Sequence, residues 1–178
     1  MKKTFKTSMA LFAFVAIFAM ILTGCKKDSS SSSGSGGNGG GGGGGGQYGS
    51  ITVGDQHYGI AVGFQMYDSE DDTFLINLFD KTDLQHANQF GISIAGVHTL
   101  AEAIGSYTFT MQEPNPAGTC MAGLTSGNGS LVCISGSVTI AQGTSGYTIE
   151  ADGTARAALG SKDMPFTVDF EGPLQEAR

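Results

Sequence analysis

An all-β fold, either an antiparallel β-sandwich or a partly closed barrel of about 8–10 short strands, is the class this sequence predicts from Gln47 onward. Three observations predict it. Bulky residues alternate with small or polar ones at period two through most of the segment. Glycine, proline or acidic turn residues bound nearly every alternating run. Only Leu100 to Ile104 reads as helical, and it amounts to one short turn.

The elements follow in order. Tyr58, Ile60, Val62, Phe64 and Met66 alternate with Gly59, Ala61, Gly63 and Gln65, which predicts one strand with a bulky core face and a thin opposite face. Phe74, Leu75, Ile76, Leu78 and Phe79 are apolar on both faces, the pattern of a central strand or one covered on both sides. Phe90-Ile92-Ile94, Tyr107-Phe109-Met111, Val138-Ile140, Tyr147-Ile149-Ala151 and Phe166-Val168-Phe170 each repeat the alternation. Gln47 to Arg178 is long enough to bury a single core and reads as one domain.

Charge narrows the partners. The whole chain carries a net charge of −7, and the segment from Gln47 has four basic residues (Lys81, Arg156, Lys162, Arg178) against fifteen acids. Nucleic acid and anionic headgroups need lysine or arginine to replace their counterions, so neither is an expected partner. The acidity most simply confers solubility.

The N-terminal part is organised differently. Lys2, Lys3 and Lys6 precede an almost wholly apolar run from Met9 to Leu22, and the run ends in Leu22-Thr23-Gly24-Cys25. A basic start followed by a short apolar stretch predicts a signal peptide over residues 1–24. A transmembrane helix would require about 20 apolar residues. The tetrapeptide resembles the lipobox of bacterial lipoproteins, and the resemblance implies that Cys25 becomes the lipidated N-terminus of the mature chain. An ordinary secretory cleavage leaving Cys25 as a free thiol is the alternative. Each buried acyl methylene contributes about 0.8 kcal/mol, so two or three chains would make the anchor essentially permanent.

From Ser29 to Gly46 the chain is serine, glycine and one asparagine. Residues 25–46 therefore read as a flexible tether, with a root-mean-square reach of roughly 25 Å and a taut reach nearer 70 Å. A G-x-G-x-x-G match inside it lacks the preceding strand and following helix that a phosphate cradle needs. Lys26-Lys27-Asp28 places no aspartate beside Cys25, so the inner-membrane retention signal of enteric bacteria is absent and the outer membrane is favoured. The lysine, acid and serines after Cys25 also resemble the surface-export signal of Bacteroidota-type lipoproteins.

Farther along, Gly105-Ser106-Tyr107, Ser135 to Ile140, Gly146-Tyr147-Thr148-Ile149 and Phe166 to Leu174 resemble the strand starts and closing hairpins of small all-β Bacteroidota lipoproteins. The likeness implies fold and location and transfers no catalytic residue or ligand.

Cys120 and Cys133 flank Thr125-Ser126-Gly127-Asn128-Gly129, a strong turn signal, in what the signal peptide makes an oxidising compartment. A disulfide is expected. A turn centred on Ser126-Gly127 would place the cysteines opposite each other, whereas one at Asn128-Gly129 would offset them. A metal or nucleophilic pair is the alternative, and no histidine lies at ligand spacing beside them.

Few residues read as chemistry. His57, His86 and His98 are scattered without an H-x-x-x-H or H-E-x-x-H pairing and read as surface or loop residues. Gly91-Ile92-Ser93-Ile94-Ala95 approaches the G-x-S-x-G elbow but sits inside an alternating strand, so Ser93 reads as polar-face. Asn128-Gly129-Ser130 is a glycosylation sequon only on a eukaryotic secretory route, which the lipobox argues against. Asp68, Glu70, Asp71 and Asp72 form the sharpest candidate site, because four loop carboxylates supply the oxygen donors Ca²⁺ takes. A solvated acidic turn is the plainer reading, since Asp-x-Asp-x-Asp-Gly spacing is missing. Glycan binding needs exposed aromatic platforms. The chain has no Trp, and Tyr48 and Tyr67, near strand ends, are the residues left to provide one.

These readings together predict a non-catalytic, lipid-anchored module on the outer membrane of a Gram-negative bacterium, displayed at the cell surface and binding a glycan, protein or other envelope partner. No cofactor is expected, Ca²⁺ at the acidic turn excepted. An accessory lipoprotein facing the periplasm is the alternative, and a hydrolase or a calcium- or glycan-binding module is less favoured.

Overall fold

The computed structural model describes Tyr48 to Ala177 apart from residues 114, 127–128 and 158–161. Leu22, Thr23, Gly24, Cys25 and the Ser29 to Gly46 tract lie outside the described residues. The strands are β1 (Gly49–Val53), β2 (Gln56–Gly59), β3 (Val62–Asp68), β4 (Thr73–Phe79), β5 (Gln89–Ala95), β6 (Gly105–Phe109), β7 (Thr119–Ser126), β8 (Gly129–Gln142), β9 (Tyr147–Ala157), β10 (Asp163–Gly172) and β11 (Leu174–Glu176). Among the described residues there is no helix. All eleven strands belong to one sheet, ordered β11-β3-β4-β5-β7-β6-β8-β9-β10-β1-β2. The fold is thus all-β and takes the partly closed barrel form, a curled half-barrel, instead of a two-sheet sandwich. The sheet is mixed, because β11 runs parallel to β3 and β6 parallel to β7.

Curling is visible in what the inward side chains touch. Phe90 of β5 and Phe166 of β10 stand five places apart in the strand order, yet their ring centroids are 5.9 Å apart. Phe109 of β6 meets the same Phe166 ring at 5.7 Å. Ile76, Leu78, Ile92, Ile140, Ile149 and Phe170 fill the rest of the interior. Packing of aromatic edges and branched aliphatics across the curled interior is what the alternation of β5, β9 and β10 supplies.

The predicted Tyr58 to Met66 strand is instead two strands, broken at Ile60 and Ala61. Ile60 bonds to the β1 side of the sheet, donating to Gly49 O at 2.8 Å and accepting from Tyr48 N at 2.8 Å. Ala61 donates to Phe79 O of β4 at 2.8 Å. The chain thereby crosses between the two ends of the sheet order and stitches part of the seam. Its facing changes at the crossing. Ile60 is in the core, but in β3 the interior position falls to Gly63, where an added Cβ would lie 2.7 Å from Leu174 Cδ2 and 3.2 Å from Phe170 Cζ. Phe64 and Met66, expected to be core-facing, stand on the outer face, level with Asn77 and Leu75 of β4.

A second device bends the long β8–β9 pair. A bulge between Cys133 and Ser135 shifts the register, so that Cys133 and Val138 are both buried although the offset between their positions is odd. Just beyond it Gly136 faces Gly153, with Gly136 at φ 113 and a Cβ on Gly153 falling 2.1 Å from Ser135 O. Only glycine admits so close a backbone approach.

Candidate functional site

The acidic turn between β3 and β4 is one half of a rim assembled from distant segments. Asp68 pairs with Thr73, leaving a tight loop in which Asp68 Oδ1 accepts Glu70 N at 2.9 Å. Asp72 closes the loop at φ 51, the left-handed region that aspartate tolerates better than most residues. Its carbonyl accepts Gly96 N at 2.9 Å, because the register Thr73↔Ala95 brings the end of β5 alongside.

The other half is the segment after β5. Thr99 O accepts Ala103 N at 3.1 Å, making the one helical turn expected near Leu100 to Ile104. Thr99 Oγ1 accepts Glu102 N at 3.3 Å, and Glu102 Oε2 accepts His98 N at 2.9 Å, an arrangement close to a capping box. Leu100 and Ala103 are buried in the core cluster and seat this turn on the barrel.

The halves meet at His98. Its Nε2 lies 3.0 Å from Asp72 Oδ1 and its Nδ1 3.5 Å from Glu102 Oε2. Tyr67 donates its hydroxyl to the same Asp72 Oδ1 at 2.9 Å, and the Tyr67 and His98 rings lie 5.0 Å apart at 59°. Tyr67 is 38 % exposed. The Asp72 carboxylate, by accepting the phenol proton, holds the Tyr67 hydroxyl above its ordinary pKa, while the backbone donors of His98 and Thr99 and the His98 ring hold Glu102 below the usual carboxylate range. The His98 ring is thereby held between the two carboxylates as an oriented wall beside Tyr67.

Of the predicted site residues, Asp72 and Tyr67 join this rim and the others do not. Asp68 and Asp72 are committed to the loop and to Tyr67 and His98, and among the described residues no group of three or more His, Cys, Asp or Glu side chains is arranged to hold a metal ion. Tyr48 packs on Phe170 at 6.2 Å and over Gly172, so its ring is spent on the core. His57 Nδ1 meets Thr52 Oγ1, and His86 Nδ1 lies 3.0 Å from Asp83 Oδ2, each on its own stretch of surface. Ser93 sits on the outer face of β5 between Leu75 and Met121. A shallow depression opens elsewhere, with Ile51, Val53, Leu124 and Leu131 as its apolar lining and Gln56 and Asn88 among its polar residues.

The expected Cys120–Cys133 disulfide does not form in this structure, which holds both as buried free thiols. The hairpin ladder ends at Ser126↔Gly129, and its paired rungs stop at Gly123↔Val132. Cys120 lies three residues beyond those rungs and Cys133 one, so they are offset. They have also taken different neighbours, Phe109 for Cys120 and Ala155 for Cys133. Burial pushes the Cys120 thiol up to about 12 and that of Cys133 higher still.

His98 and Glu102 were not singled out for the site by sequence reasoning. The Thr99-x-x-Glu102 spacing was the available signal for the local turn; nothing local announces the meeting with Asp72. No family model matches this chain, and neither a curated protein nor a solved structure matches it.

Proposed function

We propose that this chain is a lipid-anchored, non-catalytic binding module, displayed on the outer-membrane surface of a Gram-negative bacterium. The observation that carries the proposal is Leu22-Thr23-Gly24-Cys25, set between an apolar run and a serine- and glycine-rich tract. Acyl chains on Cys25 hold the chain at the bilayer, and the tether gives the barrel roughly 25 Å of root-mean-square reach beyond it. A permanent anchor with a long tether suits a module that meets partners away from the lipid surface.

Protease shaving of intact cells tests the reading, with an antibody to the Gln47 to Arg178 segment and a periplasmic protein as leak control. Release of the domain from intact cells is the expected result. Protection until the outer membrane is broken would overturn display and favour the periplasm-facing reading. Cys25→Ala is expected to move the chain out of the membrane fraction. A variant that stays there would overturn the lipid anchor.

A further inference from the structure

We propose that the rim of Tyr67, His98, Asp72 and Glu102 is a saccharide subsite that takes a neutral pyranose, an inference that rests on the chain being a binding module. Three features of the rim carry it.

The first is an aromatic corner. Among the described residues the exposed large apolar side chains are Tyr67, Ile104 and Met111, and of these Tyr67 alone is a ring. Its ring meets His98 at 59°, forming two walls of a corner. The C–H face of a pyranose is apolar with slightly positive hydrogens, which suits the negative face of an aromatic ring.

The second is a pair of half-used carboxylates. Asp72 Oδ1 accepts the Tyr67 hydroxyl and lies 3.0 Å from His98 Nε2, and Glu102 Oε2 accepts the His98 backbone N–H, while the second oxygen of each accepts no bond from the described residues. One oxygen orients the group, and the other remains to accept a hydroxyl proton. Two such acceptors flanking a ring wall match neighbouring hydroxyls around an apolar sugar face.

The third is rigidity before binding. Gly96 N pins Asp72, the Thr99–Glu102 bonds pin the following turn, and Leu100 and Ala103 root that turn in the core. Little ordering is left for the ligand to impose. Charge then selects within the class. Asp68, Asp72 and Glu102 form no ion pair with lysine or arginine among the described residues, so an anionic sugar meets unbalanced carboxylates and is disfavoured.

Saturation-transfer-difference NMR on the full mature chain in detergent micelles tests this, with maltotriose, cellotriose, mannotriose, chitotriose and trigalacturonate as probes. At least one neutral trisaccharide is expected to receive saturation on its C–H protons. Tyr67→Ala is expected to weaken that binding at least tenfold, Tyr67→Phe to retain most of it, and Asp72→Asn or Glu102→Gln to weaken it severalfold. Circular dichroism and thermal unfolding of each variant separate lost binding from lost fold. No transfer to any of the four neutral probes from folded protein would overturn the subsite. So would stronger binding of trigalacturonate, or binding that survives Tyr67→Ala. Because NMR does not depend on where the chain sits, a domain shielded from protease that still binds leaves the subsite standing while display fails. A domain released by protease that binds none of the sugars does the reverse.

Discussion

Two walls of the barrel treat their outer faces in opposite ways. On β1, β10, β9, β8 and β6 one outward rung reads Ser50, Asp169, Glu150, Thr139 and Ser106, polar at every position. On β3, β4, β5 and β7 the corresponding kind of rung reads Met66, Leu75, Ser93 and Met121, and the next includes Phe64 and Asn77. Phe79 and Val62 are buried on this second wall without belonging to the core cluster, and the Phe64 and Phe79 rings pack edge to face at 6.0 Å. Period two reports the inside of a strand only when the other face is solvated. Where both faces are apolar, alternation persists but no longer says which face is in.

Cys120 and Cys133 give the largest expected effect, since β7 and β8 part company around them and β6, the last strand of the polar wall, lies between β7 and β8 there. Thiolate is the reactive form, and a thiol pushed up to about 12 leaves about one part in ten thousand ionised at pH 8. Native protein is expected to resist a thiol reagent and to yield two reactive thiols from these positions on unfolding. A mass two units lower with no thiols on unfolding would show that the walls approach closely enough to be stapled.

Energetic contrast comes next. Phe166→Ala removes a ring that contacts both Phe90 and Phe109 and is expected to cost about 3–5 kcal/mol in chemical denaturation. Phe64→Ala, on the half-buried outer face, is expected to cost about 1–2 kcal/mol. Equal losses would erase the distinction between core and outer apolar face. At the bend of the polar wall, Gly153→Ala drives a methyl against Ser135 O and is expected to cost about 1–3 kcal/mol.

Smaller effects probe the polar wall's surface. Glu150 lies directly opposite Asp169, a like-charge pair, and Glu150→Lys is expected to raise stability by about 0.2–1 kcal/mol, less in high salt. Arg156 holds Asp163 through two hydrogen bonds and lowers its carboxyl below the ordinary value. A depressed carboxylate contributes stability above its unfolded value, roughly pH 4, and loses it as pH falls through the folded value. Asp163→Asn is therefore expected to flatten this slight acid-side decline in melting temperature. An unchanged profile would remove the pair from the stability of the β9–β10 end.

Legibility follows the same division. In β9 and β10 the residues read as core from the sequence are those facing the interior, because their outer neighbours are Glu150, Asp152, Thr167 and Asp169. The run from Tyr58 to Met66 alternates without interruption, yet its facing reverses at Ile60 and Ala61. That reversal is imposed by hydrogen-bond partners at Gly49 and Phe79, which no local pattern names. The acidic half of the candidate rim was visible as a cluster at 68–72. Its other half waited on the pairing of Thr73 with Ala95, which sets residues 96–98 beside Asp72.

The sequence by itself determined that this segment is all-β, where most strands lie, and that an apolar run, a lipobox-like tetrapeptide and a glycine tract precede it. These are local properties: residues two apart share a strand face in any β fold, and turn residues act through their own dihedrals. Tertiary structure alone decided that Gly63 faces inward and Phe64 outward, that Cys120 and Cys133 remain offset thiols, and that His98 meets Asp72. Each of those depends on which strand lies alongside and in what register, and curling the sheet into a half-barrel settles that only when all the strands are in place.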